Sequence, residues 1–140
     1  NYAGINTTTA ASATWPVILA FRSKIAQDNA LGKRMTWLTS SAGATTLMGR
    51  VKETGNAIYL LGDDGRMAGY PVLETNSFAT DRLILGDFSQ MIVGTWGGLE
   101  IEVDNLTGMA TDSVSVYVKS YSDVAIRHIE AFCKDSAVIS

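Results

Sequence analysis

Residues 83–89 read Leu-Ile-Leu-Gly-Asp-Phe-Ser, and the pattern of apolar and polar residues differs on the two sides of this stretch. The run Leu83–Leu85 is short, apolar and followed by a glycine, a pattern that predicts a buried strand. Patterns typical of helices and turns precede it, whereas long alternating patterns follow it. The chain therefore divides near this stretch into a mixed part and a strand-rich part.

Apolar and polar residues alternate over two segments of the strand-rich part. Residues 99–104 read Leu-Glu-Ile-Glu-Val-Asp, so one face of the predicted strand is apolar and the other is acidic. From Val114 to Ile126 the even positions are mostly apolar, with interruptions at Ser120 and Ser122. Strands usually run ~5–6 residues. The pattern therefore predicts either one unusually long strand or two strands in register.

A helix is predicted near the start of the mixed part. Thr14 offers an N-cap hydroxyl, and Pro16 lies in the first turn, where a missing backbone N–H costs nothing. Apolar residues follow at helical spacing, and we expect the helix to stop near Gly32. The apolar positions are Trp15, Ile18, Phe21 and Ile25.

The sequence between this helix and residue 83 predicts three strands and a second helix. Met35–Leu38 is a short apolar run suited to a buried strand, and Ser40 or Ser41 is positioned to cap the second helix. We expect Leu47, Met48 and Val51 to share one face of that helix. Apolar runs at 57–61 and 70–73 predict two strands, the second returning after the turn Gly62-Asp63-Asp64-Gly65.

The order of these elements predicts an α+β fold, with helices packed against a largely antiparallel or mixed sheet. A chain of 140 residues is within the range of a single domain, and its composition of 46% hydrophobic and 18% charged residues is that of a globular protein. No apolar run reaches the ~20 residues of a membrane-spanning helix. The eleven basic residues are scattered and the net charge is −3, which argues against a nucleic-acid-binding surface.

The residues that might form a hydrolytic site are His128 and Cys133, with Asp123 or Glu130 as the carboxylate. Side chains of a strand alternate between its faces, so His128 and Cys133 point in opposite directions if a strand continues between them. We therefore interpret His128 as an ordinary residue at the end of a strand and Cys133 as a small buried one.

Three other groups of polar or aromatic residues have structural explanations. Asp63 and Asp64 lack the alternating carboxylates of a calcium loop and are typical of a hairpin turn. The acidic side chains of residues 99–104 are typical of a solvated strand face. Gly97 and Gly98 indicate a bend or bulge beside Trp96. We predict no catalytic, cofactor-binding or metal-binding residue.

A resemblance to a known family rests on several short motifs in a constant order. The stretch 83–89 resembles a Gly-Asp-Phe/Tyr-Ser signature of tailed-phage major capsid proteins with the Hong Kong-type (HK-like) fold. Further motifs of the family are similar in order and spacing. They are Gly4-Ile5, Trp37-Leu38-Thr39-Ser40, Ile58 to Arg66, Gly69-Tyr70-Pro71-Val72, and Val124-Ala125-Ile126-Arg127 through Phe132.

The resemblance implies a leader segment at 1–14, an axial domain at 15–98 and long strands of a peripheral domain at 99–140. In that family a long helix, an extended loop and an N-terminal arm precede this region, so the resemblance implies that the chain is a fragment. We then expect the C-terminal strands to expose apolar area that the rest of the subunit normally covers. Complete coverage by the helices of this chain would contradict that expectation.

The function that the resemblance implies is structural: a major capsid subunit that forms pentamers and hexamers of an icosahedral head. Its implied partners are copies of itself, with scaffold or head-maturation proteins left open and DNA touched only non-specifically. It implies assembly in the bacterial cytoplasm, a place in the virion, no membrane partner and no cofactor. The alternatives are an encapsulin-like nanocompartment shell and a small β-rich binding module that uses Trp96 and Tyr70.

Overall fold

The computed structural model describes residues 4–55, 57–104, 113–135 and 139. The chain forms two compact units, one from the residues up to Gln90 with those from Arg127 onward, the other from Met91–Ile126. The prediction of an α+β fold is confirmed. In chain order the elements are β1 Asn6–Thr7, α1 Trp15–Gln27, β2 Met35–Thr39, α2 Ser41–Gly49, β3 Arg66–Met67, β4 Tyr70–Glu74, β5 Leu83–Asp87, β6 Met91–Asp104, β7 Ser115–Ile126 and β8 Phe132–Asp135.

The first unit contains a six-stranded mixed sheet with the order β1-β8-β5-β2-β4-β3. The pairs β1–β8 and β2–β4 are parallel, and the other pairs are antiparallel. β8 lies beyond residue 99 in the chain but belongs to this sheet. The boundary of the compact units therefore differs from the division at 98/99 expected from the sequence.

The two faces of the sheet differ in character. Strand register places Val72, Trp37, Leu85 and Cys133 side by side in a row across four strands. We call this side the front face, and α1 packs on it, with Phe21 5.3 Å from Trp37 between ring centroids. Buried residues of α1 and of the front face share one hydrophobic core. The opposite side, the back face, carries the next residue of each strand: Leu73, Leu38, Ile84 and Lys134.

α1 begins where the sequence predicts but ends earlier. Thr14 is at the N-cap position, although its side chain makes no capping hydrogen bond. At the other end Asn29 has a φ of 53°, its N–H donates to the Ala26 carbonyl, and the Ala30 N–H donates to the Ile25 carbonyl. These bonds form a Schellman motif with asparagine in the left-handed position. The helix therefore stops at Gln27, and the prediction of an end near Gly32 was wrong.

α2 is capped as predicted but buries a different face. Ser40 is the N-cap, and its hydroxyl accepts a hydrogen bond from the Gly43 N–H at 3.0 Å. The buried residues are Gly43, Ala44 and Leu47, whereas Met48 is 46% exposed. The predicted face of Leu47, Met48 and Val51 was wrong, because the small residues let the helix approach Thr39 closely.

The predicted strand at 57–61 forms only one isolated bridge, between Tyr59 and Val51. Leu60 and Leu61 are both buried, and two successive buried side chains do not fit the alternation of a half-buried strand. β4 is therefore not the return strand of a hairpin with 57–61. It pairs with β3 on one side and runs parallel to β2 on the other. The turn at 62–65 forms as predicted, and in it the Gly65 N–H donates to the Gly62 carbonyl at 3.0 Å.

The described part of the leader segment 1–14 is attached to the sheet. β1 runs parallel to β8, and the Thr8 N–H donates to the Lys134 carbonyl at 3.0 Å. The Ala10 N–H donates to the Asp135 carboxylate at 3.0 Å, and Ala13 is buried in the core. These bonds hold residues 6–10 against β8.

The stretch 83–89 contains the whole of β5, a central strand of the sheet, and lies just before β6. Phe132 occupies the space beside Gly86, so that a Cβ on this glycine would lie 2.1 Å from the ring. Phe88 stacks edge-on against the same ring, with centroids 5.6 Å apart. Asp87 accepts hydrogen bonds from the Ser89 N–H at 3.0 Å and from the Ser89 hydroxyl at 2.6 Å. Each member of the Gly-Asp-Phe-Ser motif thus has a local structural role.

The second unit is a two-stranded antiparallel ribbon of β6 and β7, which have 14 and 12 residues. β7 is one continuous strand, which decides between the two possibilities that the sequence left open. The register shifts between Trp96 and Glu100, and Gly97 there has a φ of 78°. The predicted bulge at these glycines is confirmed.

Candidate assembly surfaces

The residues considered for a hydrolytic site do not form one. Cys133 is fully buried, and burial raises the pKa of its thiol to about 11, so the thiol is protonated at neutral pH. A thiol acts as a nucleophile in its thiolate form. His128 is exposed in the segment between β7 and β8. The interpretation of Cys133 as a small buried residue is confirmed.

Asp63 and Asp64 belong to the turn before β3, where the Asp64 carboxylate accepts a hydrogen bond from the Arg66 N–H at 3.1 Å. Within the described ranges, no group of three or more His, Cys, Asp or Glu side chains is arranged to hold a metal ion. The acidic side chains of β6 lie on a solvated face. Glu102 there pairs with Lys119 of β7 at 2.7 Å, and both side chains are at least half exposed.

The apolar residues of the ribbon are exposed. Residues paired across the two strands share a face, and Ile101–Val118 and Val103–Val116 are two such pairs. We define the ribbon apolar face as Val93, Ile101, Val103, Val116, Val118 and Val124, whose exposures range from 36% to 67%. The exposure of apolar area on the C-terminal strands is the result that the sequence led us to expect. Exposed apolar side chains in this number on one face are typical of an interaction site.

A groove of about 780 Å³ lies in the first unit, between α1, the loop before β3 and the β3–β4 turn. Leu19, Ile58 and Tyr59 contribute its exposed apolar side chains, at 41%, 51% and 45% exposure. Its charged lining includes Lys52, whose ammonium lies 4.5 Å from the centroid of the Trp15 ring. The remaining charged residues of the lining are Arg22, Asp63, Asp64 and Arg66.

The back face of the six-stranded sheet also exposes apolar side chains. Leu73 is 56% exposed, and Leu38 and Ile84 beside it are half-buried. Sequence reasoning missed both this row and the groove, because each combines residues distant in the chain. The sequence of β2 does not mark the back face, since Trp37 and Leu38 are both apolar although only Trp37 is fully buried.

The two aromatic residues suggested for a binding module, Tyr70 and Trp96, belong to different compact units. Tyr70 lines the groove, and Trp96 is 58% exposed on the ribbon. Among the described residues, no helix is long and apolar enough to cross a membrane.

Exposed apolar residues along two long strands are typical of a subunit of a larger assembly. The sequence matches the phage capsid family over residues 1–135. The chain therefore belongs to the phage capsid family, and the resemblance inferred from the motif at 83–89 is confirmed.

The chain is 27% identical over 122 residues to the major capsid protein of Halomonas phage phiHAP-1, an alignment that covers 84% of this chain and 19% of that protein. A solved structure from Mycobacterium phage Che8 superposes with a TM-score of 0.68 at 11% identity, covering 97% of this chain and 54% of that one. The crystal structure of a virus-like particle from Pyrococcus furiosus superposes with a TM-score of 0.64 at 14% identity, covering 96% of this chain and 57% of that one.

These likenesses show the fold, which is the HK-like capsid fold. The chain spans about half the length of these solved structures and about a fifth of the curated relative. The predicted fold class, a mixed sheet with helices plus long strands, is confirmed.

Proposed function

We propose that this protein is a structural subunit of a phage or prophage head, a major capsid protein that assembles with copies of itself into pentamers and hexamers. The observation that carries the proposal is membership of the phage capsid family over residues 1–135. The work of such a subunit is mechanical, and the proposal assigns no catalytic residue and no cofactor.

In this proposal the two compact units have different roles. The six-stranded unit is the axial-domain-like part, which lies around the centre of a capsomer. The ribbon Met91–Ile126 is the peripheral-domain-like part. The ribbon apolar face supports the assignment, because two strands alone have no core to cover six apolar side chains. In the assembled particle this face is covered by another part of the subunit or by a neighbour.

The partners that follow from the proposal are copies of this chain, and its place is the virion head. Packaged DNA would be touched only non-specifically, because the net charge is −3 and favours no tight phosphate contact. Scaffold and head-maturation proteins are compatible with the proposal, and nothing in the described residues selects one.

The second candidate is the shell of an encapsulin-like compartment. The observation that favours it is the likeness to the virus-like particle from Pyrococcus furiosus, at a TM-score of 0.64. The contents of purified particles distinguish the two functions, since a phage head holds DNA and a compartment of this kind holds protein cargo.

The experiment compares two substitutions on opposite faces of the ribbon in the protein expressed from its whole gene. Val118→Lys places a charge on the ribbon apolar face, and Tyr117→Lys places one on the other face at similar exposure, 58% against 51%. Sedimentation velocity at increasing protein concentration measures assembly. We expect large assemblies from the wild type and the Tyr117 variant, and none from the Val118 variant. Equal assembly of both variants would contradict the role given to the apolar face.

A further inference from the structure

A second pocket of the first unit is lined by acidic side chains. It has a volume of about 330 Å³ and lies where the end of α1 meets the end of β5 and the segment between β7 and β8. Its charged lining is Asp28, Asp87 and Glu130, and no described lysine or arginine lines it. The C-terminal end of α1 adds the partial negative charge of a helix dipole. We call this site the acidic pocket, and its charges favour a cation.

Asp87 is the buried carboxylate of the acidic pocket, at 7% exposure. Its Oδ1 accepts both hydrogen bonds from Ser89. No described residue donates to its Oδ2, and no ion pair of the described ranges involves Asp87. A buried carboxylate oxygen that lacks a donor costs free energy. A ligand that brings a donor to Oδ2 therefore stabilises the site.

Gly32 leaves the approach to this oxygen clear. A Cβ at position 32 would overlap with Oδ2 of Asp87, and both residues line the acidic pocket. The two bonds from Ser89 hold the carboxylate in this orientation. The free oxygen is thus directed at a wall of the pocket that only a glycine leaves open. This observation is independent of the number of acidic residues in the lining.

The free oxygen also selects the kind of cation. A guanidinium typically pairs with both oxygens of a carboxylate, but Ser89 occupies Oδ1 of Asp87. An ammonium group needs only the one free oxygen. Among the described side chains, no group of three His, Cys, Asp or Glu is arranged to hold a metal ion. The geometry therefore favours an ammonium group over a guanidinium or a metal ion.

The other carboxylates favour a ligand with more than one ammonium group. Asp28 accepts a hydrogen bond from the Asn6 amide through Oδ2 at 2.7 Å, and no printed bond of the described residues uses its Oδ1. Glu130 is exposed and takes part in no ion pair of the described ranges. Leu31 and Ala131 supply apolar lining. Ammonium groups joined by methylene groups match this combination of carboxylates and apolar surface.

We propose that the acidic pocket binds a linear aliphatic amine with two or more ammonium groups. One ammonium group donates to Oδ2 of Asp87, and another pairs with Asp28 or Glu130, while the methylene groups pack on Leu31 and Ala131. The site does not rest on the proposed function, because every residue of the pocket belongs to one copy of the chain.

The first test is isothermal titration calorimetry of butane-1,4-diamine into the protein expressed from its whole gene. Asp87→Asn keeps an oxygen that accepts from Ser89 and removes the charge, and Glu130→Gln removes the charge of the rim. Glu53→Gln is the matched control, because Glu53 is exposed and outside the pocket. We expect binding about tenfold or more weaker in the Asp87 variant, severalfold weaker in the Glu130 variant and unchanged in the control.

Two outcomes of this titration would overturn the proposal. Absence of binding to the wild type is one. Equal weakening in all three variants is the other, because it would show attraction by net charge alone. Circular dichroism verifies folding, and if Asp87→Asn does not fold, the comparison of the Glu130 and Glu53 variants decides.

The second test blocks the approach to Oδ2 and varies the ligand. Gly32→Ala should abolish diamine binding, whereas Gly49→Ala, where a Cβ meets nothing within 4 Å, should leave it unchanged. We expect butylamine to bind more weakly than the diamine, and butylguanidinium more weakly than butylamine. Undiminished binding to the Gly32 variant would overturn the role of Asp87. Tighter binding of butylguanidinium, or displacement of the diamine by an equal concentration of calcium chloride, would overturn the assignment to an amine.

Discussion

A methyl group added at Gly86 tests how the motif at 83–89 holds the sheet together. In Gly86→Ala the new carbon would lie 2.1 Å from Cδ1 and 2.5 Å from Cε1 of Phe132. Carbon atoms pack at about 3.5–4.0 Å, so the ring must retreat by about 1.4 Å or more. Phe132 is 3% exposed and stacks on Phe88, so it has little room to move. Overpacking of this kind costs typically about 1–3 kcal/mol, and we expect about 2–3 kcal/mol here.

The assay is equilibrium unfolding in urea, followed by tryptophan fluorescence. Gly49→Ala is the matched control, because Gly49 ends α2 and a Cβ there meets nothing within 4 Å. We expect this control to stabilise the protein by about 0.5 kcal/mol through helix propensity. In a Phe132→Leu background the cost of Gly86→Ala should fall below about 1 kcal/mol, since the two residues are coupled. An undiminished cost in that background, or no cost at all, would refute the reasoning.

Three further predictions concern single residues. Ala68 has a φ of 51° in the β3–β4 turn, a left-handed conformation that glycine adopts more readily than alanine. Ala68→Gly should therefore stabilise the protein by about 0.5–1 kcal/mol. An unchanged or lower urea midpoint would show that the turn is not strained. The Thr8 hydroxyl is buried and has no hydrogen-bond partner among the described residues, so Thr8→Val should raise stability by about 1 kcal/mol, whereas a loss would indicate a partner such as a bound water. The pKa of Cys133 rises from 9.0 to about 11 on folding, so its contribution to stability is complete below pH 9 and is lost as the pH rises toward 11. Cys133→Ala should flatten the stability profile over that range, and an identical slope in both proteins would contradict the burial of the thiol.

Local features of this fold were predictable because nearby residues determine them. The Ser40 cap, the turn at 62–65 and the bulge at Gly97 each depend on a few consecutive residues with special backbone or hydrogen-bonding preferences. The alternation from Val114 to Ile126 left two possibilities open, one long strand or two strands in register, because Ser120 and Ser122 are polar residues in its apolar phase. The structure has one strand there, β7.

Features that depend on distant residues were not predictable. β2 and β4 pair in parallel although thirty residues separate their sequences, and no local pattern specifies that pairing. Leu60 and Leu61 enter the core from an irregular loop, and their run of apolar residues was indistinguishable from a strand. α1 ends at Gln27 because Asn29 adopts the left-handed conformation that asparagine tolerates, a signal weaker than that of Gly32.

The candidate surfaces were predictable in part for the same reason. The ribbon apolar face follows from alternation within each strand, and its exposure follows from the resemblance to a family in which the rest of the subunit normally covers these strands. The back-face row and the groove require the strand order β8-β5-β2-β4 and the position of α1, which the sequence pattern does not contain.

The central claim is that this protein builds a shell from copies of itself, and negative-stain electron microscopy of the protein expressed alone from its whole gene tests it most directly. The account predicts closed shells, or rings of five and six copies. A monodisperse monomer at every concentration, with and without a scaffold protein, would contradict it.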